Sequence, residues 1–133
     1  RIKTLFSNCC TPGQKYEKII ELGRSLPPYP LEFKTPEHLV KGCQSEMYLQ
    51  AQFNDGKLQF TAHSEALVSA GLAALLLLIY NDEPPEAIIA CAPAVLDELG
   101  ISASLSPSRS NGLASLFQNM KRHAIKFLIP SNN

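Results

Sequence analysis

The apolar run over residues 66–80 constrains the fold of this chain more than any other feature. It contains Ser69 and falls short of the ~20 residues that a membrane-spanning helix requires, so it predicts a buried helix. That helix, expected over 65–80 with Ser64 as its cap, is apolar nearly all round and must be covered on several sides. Gly71 within it costs up to ~1 kcal/mol relative to alanine, which predicts the close approach of a neighbouring backbone.

Two alternating segments lie before this helix and predict strands. Apolar residues alternate with polar ones over 47–53 and again over 57–62, the pattern of strands with one buried face. The Asn-Asp-Gly sequence over 54–56 is a hairpin turn signal. Residues 39–40 can begin a further strand. The sheet is therefore expected to be antiparallel, with two or three strands.

The remaining elements are predicted as helices. Thr11 followed by Pro12 is a helix start, with a hydroxyl cap and then a proline where no amide is needed. Further helical segments are expected over 1–8, 85–91, 93–99 and 113–128, with a polar loop or cap over 106–112. These elements predict a single α+β domain over 1–133, in which helices pack on one face of a small antiparallel sheet.

Charge and composition exclude several classes of function. Twelve lysines and arginines balance twelve aspartates and glutamates, so the chain has no basic excess to neutralise nucleic-acid phosphates. No Ser-His-Asp grouping, glycine-rich phosphate loop or histidine cluster is readable, and no metal site or bound cofactor is expected. The expected partner is a protein or a small molecule, with no nucleic acid and no membrane.

The four cysteines are Cys9, Cys10, Cys43 and Cys91, and no two have the spacing of a C-x-x-C pair. No secretory signal is visible, which fits free thiols in a reducing cytosol. Because the chain starts at Arg1 without a methionine, a few N-terminal residues are expected to be missing. All the cysteines except Cys43 fall on predicted helix faces and are expected to be structural.

Cys43 stands between Gly42 and Gln44, at a predicted loop or bulge between two extended segments. Glycine lets the backbone turn there at little steric cost, so a thiol at this tip is presented outward, as a transferable sulfur atom requires. Two alternatives stay open. Cys43 can be a small buried hydrophobe, as most free cysteines are, or His38 can activate it as in a cysteine hydrolase. On an exposed loop, however, His38 is expected to be solvated.

Several separated blocks of the chain together follow the pattern of a known family. Gly42-Cys43-Gln44-Ser45, with an aromatic residue at Tyr48, is similar to the active-site loop of the SufE family of sulfur acceptors. Residues 16–28 resemble its N-terminal helix and Leu-Pro-Pro exit, residues 64–75 the start of its central helix, and residues 105–113 its C-terminal signature. The resemblance covers nearly the whole chain and implies a SufE/IscU-like two-layer fold.

The resemblance also implies a function. Such proteins take sulfur from the persulfide of a PLP-dependent, SufS-like cysteine desulfurase, stimulate that enzyme and pass the sulfur to a SufBCD-like iron–sulfur scaffold in the cytoplasm. The acceptor of the family falls on Cys43. The implied supporting residues are Gly42, Gln44, Ser45 and Arg109, and the implied partner-binding residues are His63, Ser64 and Glu65. Thiolate attack needs an accessible, deprotonated thiol and no cofactor, so the chain is expected to be a persulfide carrier rather than a stand-alone enzyme.

Two positions depart from the family pattern. The family often has tryptophan at the position of Tyr48. It usually has an acidic residue at the position of His63, so the charge expected at the partner surface is different here. Two alternatives to the acceptor function therefore stay open. One is a SufE-like paralogue that feeds a different desulfurase or pathway, and the other is a non-catalytic interaction module of the same fold.

Arg109 calls for an explanation other than helix stability. It lies close to the start of the last predicted helix, where a cation opposes the helix dipole at a cost of roughly 0.3–1 kcal/mol. Three interpretations stay open. Arg109 can pair with a carboxylate within this fold or on the desulfurase, stabilise the thiolate or persulfide of Cys43, or be a solvated surface residue.

Overall fold

The structure, a computed structural model, describes residues 6–7, 11–41, 46–90, 94–98, 100–101 and 105–128. In these ranges the helices are α1 (Pro12–Arg24), α2 (Leu67–Tyr80), α3 (Pro85–Ala90), α4 (Ala94–Glu98) and α5 (Pro107–Leu128), and the strands are β1 (Tyr48–Asn54) and β2 (Lys57–His63). Two short 3₁₀ turns, Leu31–Phe33 and Pro36–His38, lie between α1 and β1. The predicted α+β architecture is confirmed. The helix predicted over 1–8 lies outside the described residues except for Phe6 and Ser7, which are in a turn.

Helix α1 begins where the sequence predicts. The Thr11 hydroxyl accepts a hydrogen bond from the Gln14 amide at 3.2 Å, and the Gln14 side chain accepts one from the Thr11 amide at 3.1 Å. This reciprocal pair satisfies two of the amides that a helix start leaves without partners. Ile19, on the inward face of α1, is 1% exposed.

Helix α2 is the centre of the core. Every residue from Ala70 to Leu77 is buried, and α1, β2 and α5 pack around the helix. Full burial of a leucine contributes about 1.5–3 kcal/mol, so this helix carries a large share of the hydrophobic stabilisation. Within the described ranges, no helix is long and apolar enough to cross a membrane.

The start of α2 differs from the prediction. Ser64 does not cap the helix, because the N-cap is Ala66 and the first helical residue is Leu67. His63 still pairs with Tyr48 across the sheet, so the chain stays extended to that point and needs a turn before the helix. The Ser64 hydroxyl stabilises that turn instead, by accepting a hydrogen bond from the Ala66 amide at 3.3 Å.

Helices α1 and α2 cross at two glycines. A Cβ atom on Gly23 would lie 2.6 Å from the Gly71 nitrogen, and a Cβ atom on Gly71 would lie 2.6 Å from the carbonyl carbon of Ile19. Real Cβ atoms essentially never come this close to backbone, so the crossing requires glycine at both positions. The close approach predicted from Gly71 is confirmed, with α1 as the neighbour.

Strands β1 and β2 form an antiparallel hairpin in which Tyr48 pairs with His63 and Asn54 pairs with Lys57. Asp55 and Gly56 have φ values of 53° and 77°, the two positive values that a two-residue type I′ turn needs. An isolated bridge from Leu39 to Tyr48 extends the sheet on the side of β1.

The two faces of the sheet depart from the predicted pattern at one position each. Phe53 points to the same side as the core residues but is 41% exposed, and its ring stacks on Phe127 of α5 at 5.1 Å. On the opposite side, Gln50 is 5% exposed and donates a hydrogen bond to the Thr61 hydroxyl at 3.0 Å. The cross-strand bond explains why this polar side chain tolerates burial.

Helix α5 begins earlier than predicted, because residues 107–112 are helical rather than a polar loop. The Ser106 hydroxyl accepts a hydrogen bond from the Arg109 amide at 3.3 Å, which places Arg109 in the first turn. Ser106 followed by Pro107 repeats the hydroxyl-then-proline signal that begins α1.

Replacing Gly71 by alanine is expected to lower the free energy of unfolding by about 1–3 kcal/mol, because overpacking at the crossing outweighs the gain in helix propensity. Urea unfolding measures this as a lower midpoint at constant slope. Gly13→Ala in α1 is the matched control, since a Cβ atom there meets nothing closer than the Thr11 hydroxyl at 3.9 Å. Equal midpoints for the two variants would contradict the close crossing.

His123 on α5 makes stability depend on pH. Its ring packs edge-on to Phe60 at 6.4 Å, and burial, followed by the charges of Lys126 and His38, lowers the pKa of His123. The neutral ring is therefore the favoured folded form, and its stabilising contribution is lost as the pH falls through the lowered pKa. We expect the free energy of unfolding to decrease from about pH 7 to about pH 5, and His123→Gln to flatten this decrease. Urea unfolding across this range tests the expectation, with His63→Gln as the control, and an unchanged slope for His123→Gln would contradict it.

Candidate functional site

The segment that contains Cys43 is held at both ends by the sheet. The Val40 amide donates a hydrogen bond to the Met47 carbonyl at 2.8 Å, next to the bridge between Leu39 and Tyr48. Val40 and Met47 are 5% and 3% exposed, so the two ends are anchored in the core. Residues 42–45, which include the predicted site residues Gly42, Cys43, Gln44 and Ser45, lie outside the described residues.

A cavity of about 210 Å³ adjoins Met47 at this end of the sheet. Its apolar lining comes mainly from Leu72 of α2 and from Leu113 and Leu116 of α5. Its polar lining consists of Ser69, Ser106, Ser108 and Arg109. The cavity therefore joins the end of the Cys43 segment, the first turns of α2 and the first turns of α5.

Arg109 contributes an unneutralised charge to this cavity. All twelve aspartates and glutamates of the chain lie within the described ranges, and none of them forms an ion pair with Arg109. Pairing with an acidic side chain of this fold, one of the interpretations left open by the sequence, is therefore excluded. The charge also lies in the first turn of α5, where it opposes the helix dipole, so it does not serve helix stability.

The three predicted partner-binding residues lie at the same end of the sheet. His63 pairs with Tyr48, the residue at which β1 begins after the Cys43 segment. The His63 imidazole lies 3.1 Å from the largely exposed Glu65 carboxylate, and Ser64 shapes the turn between them. Glu65 thus provides a surface carboxylate close to position 63, where the resemblance predicts an acidic residue.

Tyr29 is a residue of this region that the sequence did not reveal. Its ring contacts those of Tyr48 and His63 at 6.0 and 6.2 Å, and its hydroxyl donates a hydrogen bond to the Phe33 carbonyl at 3.0 Å. Burial, and to a smaller extent Tyr48, raises the pKa of Tyr29 to about 12, so the hydroxyl stays protonated at neutral pH. The proline-rich connector that carries it covers this side of the sheet.

His38 is not the solvated residue that was expected. Its Nδ1 atom lies 2.9 Å from the Thr35 hydroxyl, and its ring packs at 5.2 Å from Phe33, so it is half-buried. Among the described residues, which do not include the cysteines, no three metal-ligating side chains converge.

Comparison with known proteins gives the family of this chain. The model of the SufE family, described as an Fe–S metabolism associated domain, matches residues 1–124. An uncharacterized SufE-like protein of Synechocystis is 34% identical over 127 residues, which cover 96% of this chain and 80% of that protein. SufE-like protein 1, chloroplastic/mitochondrial, of Arabidopsis thaliana is 35% identical over 125 residues. Those residues cover 93% of this chain but 34% of the plant protein, so the chain spans about a third of its length.

The fold has a solved counterpart. The solution structure of a hypothetical protein from Thermus thermophilus matches with a TM-score of 0.77 and 22% identity, covering 95% of this chain and 91% of that one. This likeness supports the α+β fold alone. The family model and the two relatives carry the assignment further, since they extend over nearly the whole chain. The chain therefore belongs to the SufE family, whose domain is associated with Fe–S metabolism and whose members are expected to interact with a cysteine desulfurase.

Proposed function

We propose that this protein is a sulfur acceptor in iron–sulfur cluster biogenesis, with Cys43 as the residue that carries the sulfur. The main supporting observation is that Met47, which ends the Cys43 segment, and Arg109 line the same cavity. In the sequence, Cys43 precedes Met47 by four residues. The proposal treats residues 1–133 as one SufE-like domain.

The proposed step is an exchange between a thiolate and a persulfide. The Cys43 thiolate attacks the outer sulfur of the desulfurase persulfide, and a new S–S bond forms on Cys43. The S–S bond of the donor breaks, and its electron pair leaves as the desulfurase thiolate. The proton of the donor persulfide stays on the transferred sulfur, so one S–H unit moves without an external oxidant or reductant.

The cavity suits the product of this step. A persulfide ionises to an anion whose outer sulfur is large and polarisable. The leucine side chains offer an apolar surface for that sulfur, and the guanidinium of Arg109 offers a positive charge. An anion in a partly enclosed site interacts more strongly with such a charge than it does in water. Enclosure also limits attack by free thiols, which would otherwise remove the sulfur before delivery.

The proposed partners are a PLP-dependent, SufS-like cysteine desulfurase as donor and a SufBCD-like scaffold as recipient, in the cytoplasm. The desulfurase is proposed to dock around the Cys43 segment and the neighbouring turn at His63, Ser64 and Glu65. The short distance between these two features supports this, because Tyr48 and His63 are paired directly. Docking there would cover the thiol during transfer and stimulate the desulfurase by accepting its sulfur.

Cys43→Ser is expected to abolish sulfur acceptance without changing stability. The protein is incubated with desulfurase and cysteine, alkylated, and cut with trypsin. Cleavage after Lys41 and Lys57 gives a peptide whose one cysteine is Cys43, while the other cysteines fall in other peptides. The mass of one sulfur atom should appear on this peptide, and Cys91→Ser should load as the wild type does. Desulfurase binding without sulfur on this peptide would instead support an interaction module.

Arg109→Ala is expected to leave the melting temperature nearly unchanged, since no internal ion pair is lost, and to lower sulfur acceptance. Arg109→Lys should restore little if a bidentate contact matters and much if charge alone matters. Ser106→Ala is the control, because it removes the cap of α5 and costs about 1 kcal/mol of stability but keeps the charge. If Arg109→Ala accepts sulfur as well as the wild type across a range of desulfurase concentrations, Arg109 is a solvated surface residue.

A further inference from the structure

The outer edge of β2 is closed by the chain itself at two positions. The Leu58 amide donates a hydrogen bond to the Glu83 carbonyl at 2.9 Å, and the Leu58 carbonyl accepts one from the Asp82 amide at 2.9 Å. Two residues further on, the Asn81 side chain accepts a hydrogen bond from the Phe60 amide at 2.7 Å and donates one to the Phe60 carbonyl at 3.3 Å. The segment after α2 thus takes the place of a neighbouring strand beside these two residues.

Ala62 is the next position on this edge, and it stays open. In an antiparallel pair, alternate residues turn their amide and carbonyl groups away from the partner strand, so those of Ala62 point outward as those of Leu58 and Phe60 do. Within the ranges that the structure describes, neither backbone group of Ala62 makes a hydrogen bond. Ala62 is only 2% exposed, and buried backbone groups are nearly always paired. The edge therefore lacks a hydrogen-bonding partner at this position.

A groove of about 340 Å³ adjoins Ala62. Its apolar lining includes the half-buried Leu26 and the exposed Leu67. Pro27 and Pro28 also line it, and a proline has no amide with which to close the edge. The groove thus combines an unpaired strand edge with apolar side chains, which is the surface that an extended peptide requires.

The groove also carries a positive charge and includes the predicted partner-binding residues. Arg24, the last residue of α1, lines it. The aspartates and glutamates of the chain, which all lie within the described ranges, form no ion pair with Arg24. His63, Ser64 and Glu65 line the same groove, and Glu65 is engaged by His63. A peptide in the groove therefore meets an unneutralised guanidinium, which favours an acidic side chain in that peptide.

We propose that an extended, acidic segment of the cysteine desulfurase adds to the outer edge of β2 in this groove. The backbone of the segment pairs with the amide and carbonyl of Ala62, an apolar side chain contacts Leu67, and a carboxylate pairs with Arg24. This inference rests on the proposed function, since it takes the desulfurase as the partner. In strand addition the main-chain hydrogen bonds give the affinity, and the side-chain contacts give the specificity.

The first test compares Leu67→Gln with Leu128→Gln. The two leucines are 52% and 45% exposed, so neither variant should change stability, but Leu128 lies outside the groove at the end of α5. Titration calorimetry with purified desulfurase is expected to show an affinity about tenfold lower for Leu67→Gln and unchanged for Leu128→Gln. Arg24→Gln should lower the affinity several-fold and weaken its dependence on salt. Equal affinities of the two leucine variants would overturn the proposal.

The second test addresses the strand edge itself. Ala62→Pro removes the amide that strand addition needs, and proline is tolerated at an edge position whose amide takes no part in the ladder. Ala51→Pro is the matched control, because Ala51 lies opposite Phe60 and its amide points to the other edge of the sheet. Desulfurase affinity is expected to fall in Ala62→Pro alone. If urea unfolding shows that Ala62→Pro does not fold, hydrogen exchange of the wild type makes the test: desulfurase should slow the Ala62 amide and leave the Ala51 amide unchanged.

The outcomes separate this inference from the proposed function. If the desulfurase binds in the groove but no sulfur loads on Cys43, strand addition is supported while the acceptor function fails. If Cys43 loads normally and the Ala62 amide exchanges at the same rate with and without desulfurase, strand addition is overturned while the acceptor function stands. Sedimentation of the protein alone tests a second copy as the occupant, because a dimer that Leu67→Gln dissociates would overturn the proposal.

Discussion

The close crossing of α1 and α2 at Gly23 and Gly71 is the contact on which the rest of the structure depends. Successive residues of a helix are about 100° apart, so Gly71 and Ser69 lie on nearly opposite sides of α2. One side of α2 is pressed against α1, and the other, which carries Ser69 and Leu72 at a spacing of three, lines the cavity together with the N-cap residue Ala66. The glycine crossing thus sets how α2 is rotated, and thereby which of its side chains reach the candidate site.

The candidate site combines an apolar interior with an excess of positive charge at its rim. The chain as a whole is neutral, yet the cavity wall holds Arg109 and, among the described residues, no carboxylate. An arginine that opposes its own helix dipole and has no acidic partner in the fold is suited to an anion that comes from elsewhere. The Cys43 persulfide and a carboxylate of the desulfurase are the two anions that the proposed function supplies. The hydrogen bond between His63 and Glu65 lies at the same end of the sheet, where a docking partner meets the largely exposed Glu65 carboxylate.

Local signals in the sequence predicted much of the fold but less of the site. Alternation predicted the strands, the Asn-Asp-Gly sequence over 54–56 predicted the turn, and the long apolar run predicted the buried helix, because each depends on residues close together in the chain. Residues 106–112 were predicted to form a polar loop or cap; Ser106 does cap α5, but residues 107–112 are helical, and their polar composition gave no sign of this first turn. Tyr29 was missed because a tyrosine in a proline-rich connector carries no signal for the sheet face that it covers. Ser69 was noted as an interruption of an apolar run, but nothing local indicated what it faces.

The sequence by itself determined the secondary-structure elements and their order, because caps, turns and alternation are properties of neighbouring residues. It also determined which reactive side chains the chain contains. It also pointed to Cys43 and Arg109 through the family resemblance. Only the tertiary structure decided that Arg109 has no acidic partner within the fold and that Met47, Ser69 and Arg109 line one cavity. These relations join residues far apart in the chain, and they follow from the way the glycine crossing and the hairpin orient α2 and α5, which no local pattern encodes.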